Sequence, residues 1–362
     1  MNGQTPAALG YRMPAEWEPH EATWLAWPHH AADWPGKLAP IPWVYGEVVR
    51  YLVRGERVRI LVRDAPLEKR ARALLKRVGV DLTKVDFFRI PTDRNWTRDF
   101  CPLFVKGSDG TVGLTNWKFN GWAKYPNHKK DDAVGDRLAR RLGKPSWTPT
   151  WRQAPAGKKR APAPRPIVME GGSLDVNGRG TLLTTEECLL SPIQARNPGM
   201  SRGDLEGALG DYLGVRKVLW LGNGIAGDDT HGHVDDLARF VDPRTVVIAE
   251  ESDTADANFA NLRDNRRRLE TMTTADDDRL RVVPLPMPRP LFLDGVRLPA
   301  SYANFYIGNA VVLVPTFNDP ADRRALAILA GLFPGREVVG IHAVDLVWGL
   351  GTFHCMTQQQ PR

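Results

Sequence analysis

A cysteine close to the C-terminus is the strongest candidate for covalent chemistry in this chain. Cys355 stands seven residues before the last residue, in the stretch GLGTFHCMTQQQ (349–360). A lone cysteine is more often a small buried hydrophobe. Here, however, the preceding glycines allow a ligand to approach the backbone closely, and the TQQQ that follows is too polar for an ordinary core strand. Because a thiolate is a strong nucleophile, the stretch indicates a nucleophilic cysteine.

A cluster of histidines and carboxylates supplies candidate partners for Cys355. The adjacent His354 is a tempting base, but neighbouring side chains of a strand face opposite ways, so we expect the partner to come from elsewhere. In DDTHGHVDD (228–236), an extended backbone places His231, His233 and Asp235 on one face. Three interpretations are open: a His-x-His metal site, a Cys/His catalytic pair with Asp235 binding a cation, or a polar strand end. No second His/Asp cluster of this kind occurs in the sequence to complete a metal site.

Two further acids stand in unusual surroundings. Asp99 occurs in the aromatic stretch NWTRDF (95–100), and Glu170 precedes paired glycines in MEGGS (169–173). Each of them is as compatible with a turn or an N-cap as with an ion-pairing group in a cleft.

The elements that must position these residues alternate between short apolar strands and helices. Ser201 is a candidate N-cap, and Gly214 is a candidate helix stop. This alternation over the whole length predicts an α/β fold, and no break in composition divides residues 1–362, so we predict one domain. The predicted strands are Val58–Val62, Thr181–Thr184, Val246–Ile248 and Val311–Val314, and the predicted helices are Leu67–Val78, Ala133–Leu142, Ser201–Leu213, Ala257–Met272 and Pro320–Leu332.

The composition narrows the class of protein. Hydrophobic residues make up 42% and charged residues 25% of the 362, which are ordinary values for a globular protein. No run of about 18 apolar residues predicts a membrane span, and the first ten residues do not resemble a signal peptide. The three cysteines lack the spacing of a disulfide framework or a thiolate zinc site. We therefore expect a cytoplasmic protein.

One basic segment accounts for most of the excess charge. The formal net charge is +7, and the Pro/Ala-rich residues 151–166 carry five basic residues and no acid. We interpret this segment as a solvated surface insertion. The alternative is a nucleic-acid-binding arm that uses Lys158, Lys159 and Arg160, with binding that depends steeply on salt.

Taken together and in order, the motifs resemble the agmatine deiminase / Porphyromonas-type peptidylarginine deiminase family of the guanidine-modifying superfamily. The resemblance spans nearly the whole chain. It implies a five-fold pseudosymmetric α/β propeller (pentein) around a central active site, without a metal or an organic cofactor. The matching stretches are MPAEWEPH (13–20), WTRD (96–99), FNGW (119–122), EGGS (170–173), LTTEECLL (183–190), GHVD (232–235), SYANFY (301–306) and HCMTQQQP (354–361).

Carried over motif by motif, the family's roles make Cys355 the nucleophile and His233 the general acid/base. Glu170 would support the histidine, and Asp99 and Asp235 would grip the guanidinium nitrogens. The implied reaction converts agmatine and water to N-carbamoylputrescine and ammonia, a step of polyamine (putrescine) biosynthesis. The resemblance also suggests a homodimer or a higher homo-oligomer, with no nucleic-acid or membrane partner.

The substrate-binding residues that we expect beside these groups are Trp96, Trp122 and Gly351. Both tryptophans are open to two interpretations: core packing, or a cover for the aliphatic chain and distal amine of the substrate. Two positions depart from the family pattern, because Leu350 interrupts a usual run of three glycines and Asp236 replaces a usual asparagine. These departures keep a peptidyl-arginine or other guanidino substrate as an alternative. Remoter alternatives are a metal-dependent hydrolase and a nucleic-acid-binding module.

Overall fold

The computed structural model describes residues 4–152 and 163–362, which form nine α-helices and 21 strands. In chain order these are β1 (Tyr11–Arg12), β2 (His20–Ala26), α1 (Ile41–Leu52), β3 (Arg57–Val62), α2 (Ala65–Arg77), β4 (Val85–Arg89), α3 (Thr97–Phe100), β5 (Leu103–Gly107), β6 (Val112–Thr115), α4 (Lys129–Asp132), α5 (Val134–Leu142), β7 (Ser146–Trp147), β8 (Thr150–Trp151), β9 (Arg165–Pro166), β10 (Asp175–Val176), β11 (Thr181–Thr185), α6 (Glu186–Leu190), α7 (Arg202–Leu213), β12 (Lys217–Leu221), β13 (Ala238–Asp242), β14 (Thr245–Glu250), α8 (Phe259–Thr271), β15 (Arg281–Pro286), β16 (Phe292–Leu293), β17 (Val296–Arg297), β18 (Tyr306–Ile307), β19 (Val311–Thr316), α9 (Pro320–Leu332), β20 (Glu337–His342) and β21 (Gln358–Pro361).

Five of the sheets contain the same three-stranded unit: an antiparallel pair, then a helical crossover to a parallel strand. The units are β5-β6-β7, β10-β11-β12, β13-β14-β15, β18-β19-β20 and β21-β2-β3. The last unit joins the two ends of the chain, since β21 pairs with β2. A right-handed helical crossover is the usual way to connect parallel strands, which explains why helices alternate with strands along the sequence.

The four strands and five helices named from sequence lie within a few residues of observed elements, and the mixed α/β class is confirmed. Ser201 caps α7 as expected, in a capping box with Asp204. Gly214 ends that helix in the left-handed region, with φ of 69°, which glycine adopts without steric cost.

Short segments that precede the first strand of four of the five units carry the residues singled out by sequence. Asp99 lies in α3 before β5, and Glu170 stands before a 3-10 turn, Gly171–Ser173, that leads into β10. A second 3-10 turn, Val234–Asp236, precedes β13, and Cys355 lies in turns before β21. The residues of the candidate site therefore come from the same position, just before the first strand, in several of the repeated units.

The polar tail is anchored in the interior. Gln358, Gln359 and Gln360 are buried and pair in register with β2. Gln359 Oε1 accepts a hydrogen bond from Arg98 Nη1 at 2.6 Å, and Gln360 Oε1 accepts one from Trp24 Nε1 at 3.0 Å. A buried polar side chain is tolerated when its groups are paired, so the segment that follows Cys355 is held in place.

The basic segment 151–166 lies only partly within the described residues, since residues 153–162 fall outside them. Its two ends meet in an antiparallel ribbon, in which Trp151 of β8 pairs with Arg165 of β9. Among the helices of the described ranges, none is long and apolar enough to cross a membrane.

Candidate active site

Residues from distant parts of the chain converge around a cavity of about 390 Å³. Because polar groups in such a cavity are shielded from water, their charges interact strongly. The lining includes Asp33, Arg94, Trp96, Asp99, Trp122, Tyr125, Asp229, Leu298, Trp348, Gly349, Leu350 and Cys355.

The Cys355 thiol is buried among hydrogen-bonding and acidic groups. Asn304 Nδ2 donates to its Sγ at 3.1 Å, and Asp235 Oδ2 lies 3.7 Å from the sulfur. Burial, and then the charges of Asp235, Asp236 and Asp99, raise the pKa of Cys355 well above its usual value. The raised pKa favours the neutral thiol, and a cation beside it would favour the thiolate.

His233 lies between three carboxylates. Its Nδ1 is 3.8 Å from Asp99 Oδ1 and 4.0 Å from Asp235 Oδ1, and its Nε2 is 3.5 Å from Glu170 Oε2. Burial acts to lower the pKa of His233, but Asp99, Cys188 and Glu170 outweigh it and raise the pKa well above the usual value. The imidazolium is thus the favoured form, and neither ring nitrogen makes a hydrogen bond within the described part of the chain.

Glu170 is held by a buried arginine. Arg196 Nε donates to both carboxylate oxygens at 3.1 and 3.2 Å, and both side chains are fully buried. Burial acts to raise the pKa of Glu170, but Arg196 and His233 hold it below the usual value. Glu170 therefore stays ionised beside the histidine. Sequence reasoning missed Arg196, which no motif marked.

Asp99 is fixed by two donors. Gly172 N donates to Oδ1 at 3.0 Å, and Trp122 Nε1 donates to Oδ2 at 2.9 Å. Burial, assisted by Asp235 and Glu170 and opposed by His233, raises the pKa of Asp99 to about 6. Near neutral pH this carboxylate is therefore mostly ionised and available to a cation.

Asp235 presents one oxygen to a partner and keeps the other free. His354 Nδ1 donates to Oδ2 at 2.6 Å, whereas Oδ1 is buried and makes no hydrogen bond within the described residues. On the far side of the ring, His354 Nε2 lies 2.8 Å from Glu16 Oε2. Burial acts to raise the pKa of Asp235, but His354, His233 and Arg239 lower it below the usual value.

Gly172 makes room for this assembly. A Cβ atom at this position would lie 2.5 Å from His233 Nδ1, 2.9 Å from Asp99 Oδ1 and 3.1 Å from Asp235 Oδ2. Those distances are below van der Waals contact, so any larger residue would displace the charged groups. The second glycine of the EGGS stretch is thus explained by close packing against the site.

His231 does not join this site, so the interpretation that grouped it with His233 and Asp235 on one face is wrong. The backbone at His231 turns through a φ of 65°, and its ring contacts Ser191 at 3.1 Å. Within the described ranges, buried potential ligands do cluster in two other sets, Glu170–Cys188–His233 and Asp235–Asp236–Cys355. In the first set, Glu170 already forms an ion pair with the Arg196 guanidinium, whose positive charge would repel a metal cation.

The two tryptophans are both core residues and cavity walls. Trp96 and Trp122 are 4% exposed, and both line the cavity. Gly349 and Leu350 also line it, whereas Gly351 packs beneath the Trp96 ring, where a Cβ would lie 2.9 Å from the ring and 3.0 Å from Cys355 Cβ. Gly351 therefore allows the ring and the cysteine to approach each other.

Asp236 and Leu350, the two residues that depart from the family pattern, have different effects on the site. Asp236 is buried, and burial together with Asp235 and Asp228 raises its pKa well above the usual value. Its Oδ1 accepts a hydrogen bond from Asn304 Nδ2 at 2.9 Å. The raised pKa favours the neutral carboxyl, which is uncharged and polar as an amide is, so this change adds less negative charge than an ordinary aspartate would. Leu350, in contrast, adds an apolar side chain to the cavity wall.

Comparisons with known proteins identify relatives of the whole chain. A family model described as Porphyromonas-type peptidyl-arginine deiminase matches residues 12–361. A Pseudomonas aeruginosa agmatine deiminase is 36% identical, with 99% of this chain and 97% of the relative aligned. The solved Enterococcus faecalis agmatine deiminase has a TM-score of 0.88 at 32% identity, covering 100% and 99% of the two chains. A Campylobacter jejuni agmatine deiminase, a cysteine-to-serine variant with substrate bound, has a TM-score of 0.84 at 26% identity, covering 97% and 96%.

Proposed function

The chain belongs to the Porphyromonas-type peptidyl-arginine deiminase family, and we propose that it hydrolyses agmatine to N-carbamoylputrescine and ammonia. The observation that carries the proposal is a cluster of one thiol, one imidazole and three carboxylates at the wall of one cavity. Cys355 and Asp99 line the cavity, and His233, Asp235 and Glu170 are buried behind them. Relatives described as agmatine deiminases support the choice of substrate.

Two of the carboxylates suit a guanidinium. A guanidinium is a resonance-stabilised cation and therefore a poor electrophile, so it must be held and oriented before attack. Asp99 and the free Oδ1 of Asp235 would bind its nitrogens and fix its plane beside the sulfur. The same cation lowers the electrostatic cost of ionising Cys355, because it offsets the acids that raise the pKa of the thiol.

The chemical steps follow from these positions. The thiolate of Cys355 adds to the guanidinium carbon, and the His233 imidazolium donates a proton to the departing nitrogen. Ammonia leaves, and an S-alkylthiouronium remains bound to the enzyme. His233, now neutral, accepts a proton from water as the water attacks the same carbon, and cleavage of the C–S bond releases the ureido product and the thiolate. Glu170, anchored by Arg196, would keep the histidine charged for the first step.

The walls of the cavity suit the rest of the substrate. Trp96, Trp122 and Leu350 offer apolar surface to a four-carbon chain. Tyr125 OH and Lys124 both contact Asp229, which lines the cavity as well. An ammonium at the far end of the chain would meet the aromatic rings and the Asp229 carboxylate, which it would share with Lys124.

The architecture that we propose for the chain is the five-fold α/β propeller. Three observations support it. The three-stranded unit occurs five times among the described residues, and the pairing of β21 with β2 joins the C-terminal segment to the N-terminal one. In addition, Asp99, Glu170, Asp235 and Cys355 each precede the first strand of a unit. Such an arrangement would place these residues around a central axis.

Ammonia release from agmatine, free arginine and a blocked arginine peptide tests the function. We expect turnover of agmatine, an N-carbamoylputrescine product identified by mass, and loss of at least about 10⁴-fold in kcat for Cys355→Ala. The matched control is Cys101→Ala, which removes another buried thiol. Turnover of the blocked peptide without agmatine turnover would overturn the substrate, and an active, chelator-sensitive Cys355→Ala variant would overturn the mechanism.

A further inference from the structure

His354 connects the candidate site to a buried network of charges. Its ring lies between Asp235 Oδ2 at 2.6 Å and Glu16 Oε2 at 2.8 Å, and its side chain is 2% exposed. Glu16 is also buried, beside Arg98 Nη2 at 3.2 Å and Arg239 Nη2 at 2.9 Å. The network therefore begins at the guanidinium-binding carboxylate and ends away from the cavity.

The geometry fixes the charge on the ring. Each nitrogen of His354 faces a carboxylate oxygen at hydrogen-bonding distance, so both nitrogens must donate, and a ring that donates twice is an imidazolium. Asp175, whose Oδ1 lies 2.8 Å from Arg239 Nε, completes the network. Its charges then balance, because three carboxylates (Glu16, Asp175 and Asp235) face three cations (Arg98, Arg239 and His354). A neutral tautomer would leave a lone pair pointing at an anion and one buried carboxylate without compensation.

The imidazolium matters because Asp235 has other acids nearby. Asp236 and Cys355 are close enough to Asp235 to form a single cluster, and Asp99 adds to the negative potential. The cations that face Asp235 are His354, His233 and Arg239, and of these His354 makes the only hydrogen bond to it in the described residues. That bond also occupies Oδ2 and leaves Oδ1 for the substrate.

We infer that His354, held as an imidazolium by Glu16, is a positioning residue that keeps Asp235 ionised and directs its free oxygen toward the guanidinium. This inference rests on the proposed function and adds to it a residue that does not touch the substrate. A purely structural alternative is that His354 only links the C-terminal segment to the N-terminal one. The two ideas differ in how activity should depend on pH.

The decisive variant is His354→Gln, which keeps a hydrogen-bonding side chain but removes the charge. An opposite charge at this distance shifts a carboxyl pKa by about 1–3 units. We therefore expect the acidic limb of the kcat/KM profile for agmatine to become steeper, because Asp235 then titrates in the same range as Asp99. The loss should be largest at the acidic end of the profile, approaching about 10- to 1,000-fold only where both carboxyls are protonated. It should shrink toward pH 9, with a larger change in KM than in kcat. A loss by the same factor at every pH would overturn the inference.

The controls separate this outcome from misfolding and from a wrong substrate. His20→Gln makes the same substitution at a buried histidine between Glu56 and a backbone carbonyl, and it should leave the acidic limb in place. Glu16→Gln removes the charge that holds the imidazolium, so it should steepen the limb in the same way even if His354→Gln does not fold. If the wild-type protein does not release ammonia from agmatine, the proposed function fails, whereas an active wild type with pH-independent variants contradicts only the role of His354.

Discussion

Asp99→Asn separates the proposed role of this residue from a structural one. The carboxylate accepts hydrogen bonds from Gly172 N and Trp122 Nε1, and the substitution replaces one acceptor oxygen with a donor. It also removes a charge that, as proposed, pairs with the guanidinium. Because breaking one partner of a buried ion pair costs about 3–5 kcal/mol, we expect kcat/KM for agmatine to fall by about 10²- to 10⁴-fold.

Stability should change little, and the reason lies in the raised pKa. The pKa of Asp99 rises from 3.8 to about 6 on folding, so ionising it in the folded protein costs about 3 kcal/mol. A group of this kind stabilises the fold below its unfolded pKa and loses that contribution as pH rises through about 6. At pH 8 the asparagine removes this cost and loses one hydrogen bond of about 1–3 kcal/mol. These opposing effects nearly cancel, so the melting temperature should stay close to that of the wild type.

The measurement is a pH profile of kcat/KM from pH 5 to 9, combined with thermal unfolding at pH 8. The wild type should gain activity as pH rises through about 6, because ionised Asp99 binds the cation, and the variant should lack that rise. Asp131→Asn is the matched control, since Asp131 is a buried carboxylate that accepts backbone hydrogen bonds but does not line the cavity. An unstable Asp99→Asn variant with near-normal kcat/KM would refute the reasoning.

Two further substitutions test the supporting residues. Gly172→Ala should lower kcat/KM by at least about 10²-fold, because the added Cβ would displace His233, Asp99 and Asp235. The control is Gly207→Ala, whose added Cβ would meet no atom within 4 Å, and this variant should keep full activity. Arg196→Met should destabilise the fold by about 3–5 kcal/mol, because it leaves the buried Glu170 carboxylate without the guanidinium that hydrogen-bonds both of its oxygens. Adding Glu170→Gln to that variant should recover much of the stability in thermal unfolding, and a double variant no more stable than Arg196→Met would contradict the ion-pair explanation.

The sequence predicts the elements well because their patterns are local. Periodic apolar residues, an N-cap at Ser201 and a glycine stop at Gly214 are read within one turn or strand, and each lies where the pattern indicates. The repeated unit is harder to find, because its repetition lies in strand pairing and crossover order rather than in recurring residues. The pairing of β21 with β2 joins residues more than 330 positions apart, and no local pattern predicts it.

The candidate site is predicted only where a motif marks it. Cys355, His233, Glu170, Asp99 and Asp235 were all named from sequence, and the structure brings them together. Their partners escaped because a partner is defined by distance rather than by type. Arg196 is one arginine among many until burial places it on Glu170, and Asn304 stands in a quoted motif without any feature that indicates a contact with the thiol.

His354 shows how a wrong premise can hide a function. Alternation along a strand would put His354 and Cys355 on opposite faces, but both residues lie in turns before β21. The turn brings both side chains to the same oxygen of Asp235, the sulfur at 3.7 Å and the imidazole at 2.6 Å. The other nitrogen of the His354 ring faces Glu16, whereas Cys355 lines the cavity. We therefore expect Cys355 to act on the substrate and His354 on the carboxylate that binds it, and only the three-dimensional position of Asp235 relates the two roles.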